Sequence, residues 1–486
     1  MGISEWVNSQ LKKIDASDIF VKAKEAQYTY QEFFSITDRI FEGLQIYGAY
    51  GKIIAVLENG IDLFFLYFMC MLNGKVIIPI DPQKNVSEIE KLIRQNKDNA
   101  LVISEAEQPE CNYISANILK DIRNRKIADR HGDTDIEKIF GQIDYQVDYL
   151  ITFTSGTSGN SKGVVHSLGD LFSTIRAFQT VHPIGDNAVF GHVMPMTYMA
   201  GILNSIFHPF ILGAKLVILG RFGIPLAIRF WKALSADNIN VMWLSPTMLN
   251  MVLQTDRSKL GGMYCQEHKP QLFIGTAPLA TALKKEFEER YQIPLYVSYG
   301  LTEALYVSVD TPDTSKRNDG NVGRLLPGVK VTEQNGEALI DTPWMFPRYT
   351  NEPTEPYFSG KYYKTGDLIK VHHDVLYIVG RKKDLIIKGG LNISPVNMEE
   401  EIMATGLVED VAVFGKESGV EEIICCAYTC GKDSREIEKQ LNKVLKKKLG
   451  TPYTVDAFYR MDKLLYNLNG KKDKAALKAW LEERKC

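Results

Sequence analysis

DYLITFTSGTSGNSKGVVHS, residues 148–167, opens with an apolar, β-branched run from Tyr149 to Phe153 and continues from Thr154 to Gly163 almost entirely in Thr, Ser, Gly and Lys. An apolar run of strand length emptying into such a stretch reads as a strand feeding a phosphate cradle. Glycines let backbone N–H groups face an anion without a Cβ in the way. The hydroxyls of Thr154, Ser155, Thr157 and Ser158 add donors, and Lys162 adds a positive charge. A flexible Ser/Gly connector would not explain a lysine set just ahead of a fresh apolar run. The loop is not a Walker A motif. Counting from Gly156, the second required glycine falls on Ser161, and the required Ser or Thr after the lysine is Gly163, so a standard P-loop NTPase is disfavoured.

Four more stretches keep it company. Tyr299-Gly300-Leu301-Thr302-Glu303 ends an apolar run that starts at Leu295. Tyr363-Lys364-Thr365-Gly366-Asp367-Leu368, then Gly380-Arg381-Lys382-Lys383-Asp384, then Asn469-Gly470-Lys471-Lys472-Asp473-Lys474-Ala475-Ala476-Leu477 follow in order. Together with Thr154-Ser155-Gly156-Thr157-Ser158-Gly159 and Lys162-Gly163, they resemble the ordered motifs of the adenylate-forming superfamily. That superfamily comprises acyl-CoA synthetases, peptide-synthetase adenylation domains and beetle luciferases, and the chain is most similar to the acyl/aryl-CoA ligase branch. The resemblance covers the chain from Tyr28 onward. Three departures are Ser158 where Thr is usual, Ser161 where Pro is usual and Lys474 where Arg is usual.

Roles follow from that resemblance, position by position. The loop Thr154 to Lys162 is expected to hold the departing pyrophosphate. Ser298, Tyr299 and Gly300 are expected on the nucleotide, with Tyr299 against adenine, and the Thr302 hydroxyl is expected at the α-phosphate. A carboxylate at the carboxyl end of a strand is well placed to hold Mg²⁺ against ATP phosphates, which makes Glu303 the metal ligand. Asp367 would accept the ribose hydroxyls, Arg381 would reach the ribose and Lys383 would be the pivot of a hinge. The family's acyl-pocket segment falls on Tyr198, Met199 and Gly201, and its adenine and acyl turn falls on Gly275, Thr276 and Ala277. Lys388, Gly389 and Gly390 would line a pantetheine channel, and Lys471 would be catalytic.

The acyl segment narrows the substrate. Amino-acid-activating members carry an Asp nearby to pair the ammonium, and none occurs between Gly191 and Gly213. A buried unpaired ammonium is costly, so an amino acid is disfavoured. Tyr198 suggests an apolar or aromatic acid of modest size. Met194, Met196 and Met199 read either as ordinary core or as the lining of an adaptable apolar pocket.

Composition sets bounds. The chain has 486 residues, 45% of them hydrophobic, and a net charge of −2. That is the range of a soluble protein of two or three domains, with no electrostatic case for nucleic acid or an anionic membrane. The seven cysteines, an odd number without metal spacing, point to free thiols in a reducing compartment. Cys425, Cys426 and Cys430 fall in a strand-like run and read as small hydrophobes. Lys443 to Lys448 reads as a solvated helix face. Leu63 to Leu72 is the longest apolar run, about half of a membrane span, and Met1 to Asp15 lacks the apolar core of a signal peptide. A cytoplasmic protein, monomer or homodimer, is expected.

Periodicity gives an α/β fold. Expected in order are a helix over 30–47, a strand over 52–57, a helix over 61–72, a strand over 75–80, a helix over 86–95 and a strand over 100–104. A loop-rich connection is expected over 105–146. After the signature strand come a long apolar helix over 202–212, a strand over 216–220, a helix over 225–239, a strand over 241–244, a buried strand over 271–279 ending in a tight turn into a helix over 280–291, and a strand over 295–299. Short strands then suggest a small β-barrel. The expected architecture is an N-terminal domain of doubly wound α/β subdomains plus that barrel (1–380), a hinge (381–384) and a smaller mobile α+β domain (385–486).

The chemistry so implied starts from a carboxylate that cannot react with a thiol because oxide is a poor leaving group. Attack on the α-phosphate of ATP turns it into an acyl-adenylate. Two anions must meet, so cations and dipoles matter more than acids or bases. Lys471, Mg²⁺ on Glu303 and the 154–162 loop supply them, and the acyl group then passes to coenzyme A. The alternatives are transfer to an acyl-carrier protein, a luciferase-type oxygenase and a nucleotide-binding scaffold that has lost catalysis.

Overall fold

The computed structural model describes residues 1–24, 26–108, 111–125, 140–155, 161–313, 320–372, 375–388, 390–418, 421–431, 434–467 and 471–483. Gly156, Thr157, Ser158, Gly159, Gly389, Asn469 and Gly470, singled out above, lie outside the described residues, as does the side chain of Ser155.

Strands β1 (Ile19–Ala23) and β2 (Ala26–Thr29) form a hairpin that leads into the helix Tyr30–Leu44. Thr29 and Glu32 start that helix with a reciprocal capping box: the Thr29 hydroxyl accepts from the Glu32 N–H at 3.2 Å, and the Glu32 carboxylate accepts from the Thr29 N–H at 2.9 Å. Such a cap contributes about 1 kcal/mol.

The first sheet holds β3 (Lys52–Val56), β4 (Val76–Ile80), β5 (Ala100–Ser104), β6 (Tyr113–Ser115), β7 (Asp148–Ser155) and β8 (Ser161–Ser167) in the order β6-β5-β3-β4-β7-β8. All neighbours are parallel except β7 and β8. The signature stretch is therefore a hairpin that pairs Thr154 with Lys162. The helices Ile61–Leu72 and Val86–Asn96 cross between strands as the periodicity predicts, and every residue from Leu63 to Met71 is buried. No described helix is long and apolar enough to cross a membrane.

Within the stretch read as loop-rich, 105–146, stand β6 and the helix Ala116–Asn124. That helix buries only Ala116, Leu119 and Ile122, a stripe too narrow to stand out from its polar surroundings.

The second sheet carries β9 (Val189–His192), β10 (Lys215–Ile218), β11 (Val241–Leu244), β12 (Gln271–Ile274) and β13 (Leu295–Leu301) as a parallel core. From β13 it continues antiparallel through β14 (Leu305–Val309), β15 (Arg324–Leu325), β16 (Lys330–Gln334), β17 (Glu337–Asp341), β18 (Phe358–Ser359), β19 (Tyr362–His372) and β20 (Val375–Arg381). The antiparallel strands expected as a small barrel are thus continuous with the parallel sheet, in the order β16-β17-β19-β20-β15-β14-β13. Side chains alternate across each strand. Trp243 and Phe273 face one core layer, and Met242, Leu244, Leu272 and Ile274 face another on the opposite side.

The apolar helix expected over 202–212 starts at Met199 and is not regular: Met199–Ile202 is α-helical, Leu203–Phe207 makes a π-turn, and His208–Ile211 returns to α. The helix expected over 225–239 is two, Ile224–Ile228 and Phe230–Asp237. Met194, Met196 and Met199 are all buried.

The last part of the chain builds its own layers. β21 (Ile386–Lys388) and β22 (Leu391–Ile393) form a hairpin; β23 (Asp410–Ser418), β24 (Glu421–Thr429) and β25 (Ala457–Arg460) form a three-stranded sheet. Helices Pro395–Met403, Ser434–Lys448 and Lys474–Glu483 accompany it. Cys425 and Cys426 are buried free thiols in two different apolar clusters, which is how successive residues of a strand covered on both faces must lie.

Candidate active site

Ligands of parallel α/β sheets gather at the carboxyl ends of the strands. At the end of β13, Tyr299 donates from its hydroxyl to Asp367 Oδ2 at 2.7 Å, and Arg381 Nε reaches Asp367 Oδ1 at 2.7 Å. Asp367 lies beyond Gly366, whose φ of +71° makes the turn that carries the carboxylate inward. Three of the expected nucleotide residues therefore meet, although β13 and β19 are separated in the sheet by β14, β15 and β20. The antiparallel part must curl for that contact to form. Burial, and then the Asp367 charge, push the Tyr299 hydroxyl well above its ordinary pKa, so it stays a donor.

Thr302 and Glu303 follow directly and are buried. The His166 ring Nε2 lies 2.6 Å from the Thr302 carbonyl, tying the signature hairpin to this turn. Tyr349 donates to Glu303 Oε1 at 3.0 Å, and its oxygen is 3.0 Å from that of Tyr363. Burial and the Glu303 charge raise both phenols, which keeps them protonated beside the carboxylate. Glu303 is thus oriented by neutral donors and carries no paired cation among the described contacts. Among the described residues no group of three His, Cys, Asp or Glu side chains could hold a metal. A cation here would have to take its remaining ligands from water and phosphate oxygens, the habit of Mg²⁺.

Lys162 does not point freely at the loop. It is buried, 2.9 Å from Glu352 Oε1, with its ammonium 3.4 Å from the centre of the Tyr357 ring. Gly163 is needed because the segment after Tyr349 crosses it closely. A Cβ there would sit 2.2 Å from Thr350 Oγ1, and the Thr350 N–H donates to the Gly163 carbonyl at 2.8 Å.

On the acyl side, Tyr198 is half-buried at the start of the 199–211 helical segment. Gly201 is obligatory, since a Cβ would lie 2.0 Å from the Pro195 carbonyl oxygen. Asn59 brackets that turn, accepting from the Met196 N–H at 2.8 Å and donating to the Met194 carbonyl at 2.7 Å. Thr276 sits at φ +71°, a left-handed conformation rare for a β-branched residue and worth about 1–3 kcal/mol of strain. Its hydroxyl oxygen is buried without a partner. Gly275 and Ser298 are neighbours: a Cβ on Gly275 would be 3.2 Å from the Ser298 carbonyl oxygen. Ala277 continues that turn, and Gly300 is held where a Cβ would meet the Leu305 carbonyl at 2.2 Å.

A cavity of about 390 Å³ is walled by Pro195, Arg221, Ser245 and Thr247 and roofed by residues 463–467. The roof leads into Lys471. Asn467 accepts from the Lys471 N–H at 3.0 Å through its side chain and donates its own N–H to the Lys471 carbonyl at 2.8 Å. The flanks of this turn are anchored by charge. Lys474 lies 2.9 Å from Glu399, and Lys472 lies 3.3 Å from Asp410. Tyr466 bonds to Asp410 and, across the cavity, to Thr247.

Lys388 is 2.6 Å from Asp456 within the last part of the chain, Gly390 makes the β21–β22 turn at φ +74°, and Lys383 is exposed on a short turn, Lys382–Asp384.

A family profile described as AMP-binding enzyme matches residues 8–350. The chain belongs to the AMP-binding enzyme family. It is 27% identical over 371 residues to a malonate–CoA ligase of Arabidopsis thaliana, an alignment covering 69% of this chain and 61% of the relative. It is 26% identical over 309 residues to the mitochondrial malonate–CoA ligase of Bos taurus, covering 55% and 53%. The chain therefore spans only 61% and 53% of the length of these two relatives. ATP-bound MatB from Rhodopseudomonas palustris shares the fold, with a TM-score of 0.83 at 21% identity over 99% of each chain.

Several side chains that shape the site of this AMP-binding enzyme are not evident from its sequence. Tyr349 and Glu352 stand in an irregular segment with no periodicity, and Asn59 follows a strand as an ordinary turn residue would. His166 carries the one signal that could have found it, a polar residue breaking the apolar run of β8. Tyr466 pairs with Asp410, 56 residues away, which no local pattern reports.

Proposed function

We propose that this chain activates a carboxylic acid with ATP, forming an acyl-adenylate and releasing pyrophosphate, and then passes the acyl group to the thiol of coenzyme A. The observation that carries the reading is the meeting of Tyr299, Asp367 and Arg381 in the segment that continues into Thr302 and Glu303, supported by residues 463–467, just ahead of Lys471, lining a cavity with Pro195 and Ser245. Asp367 keeps unused lone pairs for ribose hydroxyls, and the Tyr299 ring supplies a flat apolar face. The Thr302 hydroxyl would contact the α-phosphate and Glu303 would hold Mg²⁺, which when bound offsets phosphate charge. The 154–162 hairpin would hold the β- and γ-phosphates; for Lys162 to join them it must leave Glu352. Lys471 bridges the acid's carboxylate and the α-phosphate, so that two anions can approach. Tyr198, Met199, Gly201, Gly275, Thr276 and Ala277 border the acyl group.

The large unit is taken as residues 1–380 and the small unit as 385–486, joined at 381–384 with Lys383 as pivot. Turning the small unit would withdraw Lys471 and bring Lys388, Gly389 and Gly390 to a thiol entrance. Relatives named as CoA ligases support the choice of acceptor. We further infer a cytoplasmic enzyme.

The test is acid-dependent pyrophosphate release over a panel of carboxylic acids, with and without coenzyme A, followed by mass spectrometry. Acyl-CoA together with AMP is expected. An adenylate that never reaches coenzyme A would move the acceptor to a carrier protein. Oxygen uptake or light would replace the ligase reading with an oxygenase.

A further inference from the structure

Beneath the acyl side of the site, the floor is closed. β11 runs from Val241 to Leu244 and meets Ser245, which stands in the cavity wall. Alternation along a strand puts Trp243 on the same face as Ser245, one pleat deeper. The Trp243 indole donates to Ser298 Oγ at 3.3 Å, directly under the Gly275–Ser298 contact. Its ring stacks on Phe273 with centroids 4.3 Å apart and planes 12° apart, and His208 and Phe178 lie 5.7 and 5.8 Å away.

The layer between this face and the 199–211 segment is equally full. Phe207, His208 and Phe273 are 0% exposed, Ser205 is 1% and Trp243 is 2% exposed. A tunnel able to take an acyl tail would leave such residues bordering open space, whereas here Trp243 meets Phe273, His208 and Phe178, and Phe207 packs against Tyr67, Phe68, Tyr149 and Phe172. The π-turn Leu203–Phe207 adds one residue to the turn and so shifts everything after it around the helix, ahead of His208, whose ring lies beside Trp243.

Resting on the activation reading above, we infer that Trp243 sets the depth of the acyl pocket and that the enzyme takes short carboxylic acids. The acyl group is confined to the mouth formed by Tyr198, Ser298 and the Thr276 turn. A longer tail has no path past the Trp243–Phe273 pair without unstacking it. Trp243 acts here as a specificity-determining residue; the carboxylate chemistry does not depend on it.

The experiment measures kcat/KM for pyrophosphate release by the full chain with acetate, propionate, butyrate, hexanoate, decanoate and benzoate, with ATP, Mg²⁺ and coenzyme A at saturation. Short acids should lead decanoate by more than about tenfold, the scale on which a filled pocket rejects extra methylenes. Trp243→Ala should move the optimum toward longer acids. Trp243→Leu, which keeps the site apolar and limits loss of packing, should move it the same way by a smaller amount, and a thermal melt identifies either variant if it fails to fold. Decanoate as the best wild-type substrate, or an unchanged chain-length profile in a folded Trp243→Leu enzyme, overturns the inference while leaving acid activation intact. If no acid of any length supports release, the activation reading falls and the inference falls with it.

Discussion

On the nucleotide side, Tyr299, Asp367, Arg381 and Glu303 all issue from the second sheet or its immediate turns; Tyr299, Asp367 and Arg381 orient one another, and Tyr349 holds Glu303 from the irregular segment that follows β17. On the lysine side, Lys471 hangs in a turn whose anchors, Glu399 and Asp410, belong to the separate three-stranded unit, and Tyr466 alone among the residues described above bonds across to Thr247 on the large unit. The first arrangement is pre-organised and resists displacement. The second is rigid internally but attached lightly, as a group that must arrive for one half-reaction and leave for the next would need to be.

Removing the lysine tests that contrast most strongly. Lys471→Ala should lower acid-dependent pyrophosphate release by about two to three orders of magnitude, as loss of a transition-state charge partner does. Thermal stability should change little, because the side chain is not in the core. Near-normal release would remove Lys471 from the chemistry.

Asp367→Ala probes the pre-organised side, and there activity and stability should fall together. The Tyr299 hydroxyl loses its buried acceptor, costing about 1–3 kcal/mol, and the KM for ATP should rise by about tenfold or more. An unaltered KM for ATP would place the ribose elsewhere.

Tyr466→Phe should separate the half-reactions. It cuts the bond to Thr247 and to Asp410 while leaving the ring, so adenylation should slow by about tenfold, the worth of one hydrogen bond of about 1.4 kcal/mol. Thioester formation from a pre-made adenylate should be unchanged. Equal slowing of both steps would reduce Tyr466 to a structural role.

The smallest effect is on pH. Burial pushes His192 down to about 4 and His208 down to about 3 from an ordinary 6.5, so the unfolded chain takes up these protons first as pH falls. Stability of the sheet layer should decline below pH 6.5 by about 1.4 kcal/mol per unit for each histidine. Glu399 behaves differently: burial, which raises its pKa, is outweighed by Lys474 and Lys472, so it lies below 4.5. Its contribution is present above that value and is lost only as pH falls through the lowered one. Between pH 6.5 and 5, hydrogen exchange corrected for intrinsic rates should show the 199–211 segment opening more readily while 471–477 does not. Uniform change in both would erase the difference.

The same two regions differ in how far the sequence discloses them. The nucleotide side is legible because its residues sit in short motifs, where Gly300 leaves no room for a Cβ and Gly366 takes the left-handed conformation that glycine favours. The strand and helix order around it follows from periodicity, apart from features with no periodic signature: the narrow-striped helix Ala116–Asn124, and the π-turn inside an unbroken apolar run. The lysine turn itself is legible as a motif. Its anchors are not, because Asp410 and Thr247 are far from Tyr466 in the chain. On the acyl side, Trp243 reads only as another apolar strand residue until its neighbours are seen.

The most direct test of the whole account is exchange of labelled pyrophosphate into ATP, measured without any thiol, for the wild-type chain and Lys471→Ala. The account predicts exchange that requires a carboxylic acid and Mg²⁺, yields acyl-AMP by mass spectrometry and is lost in the variant. Exchange that ignores the acid, products that are ADP and phosphate, or full exchange in Lys471→Ala would contradict it.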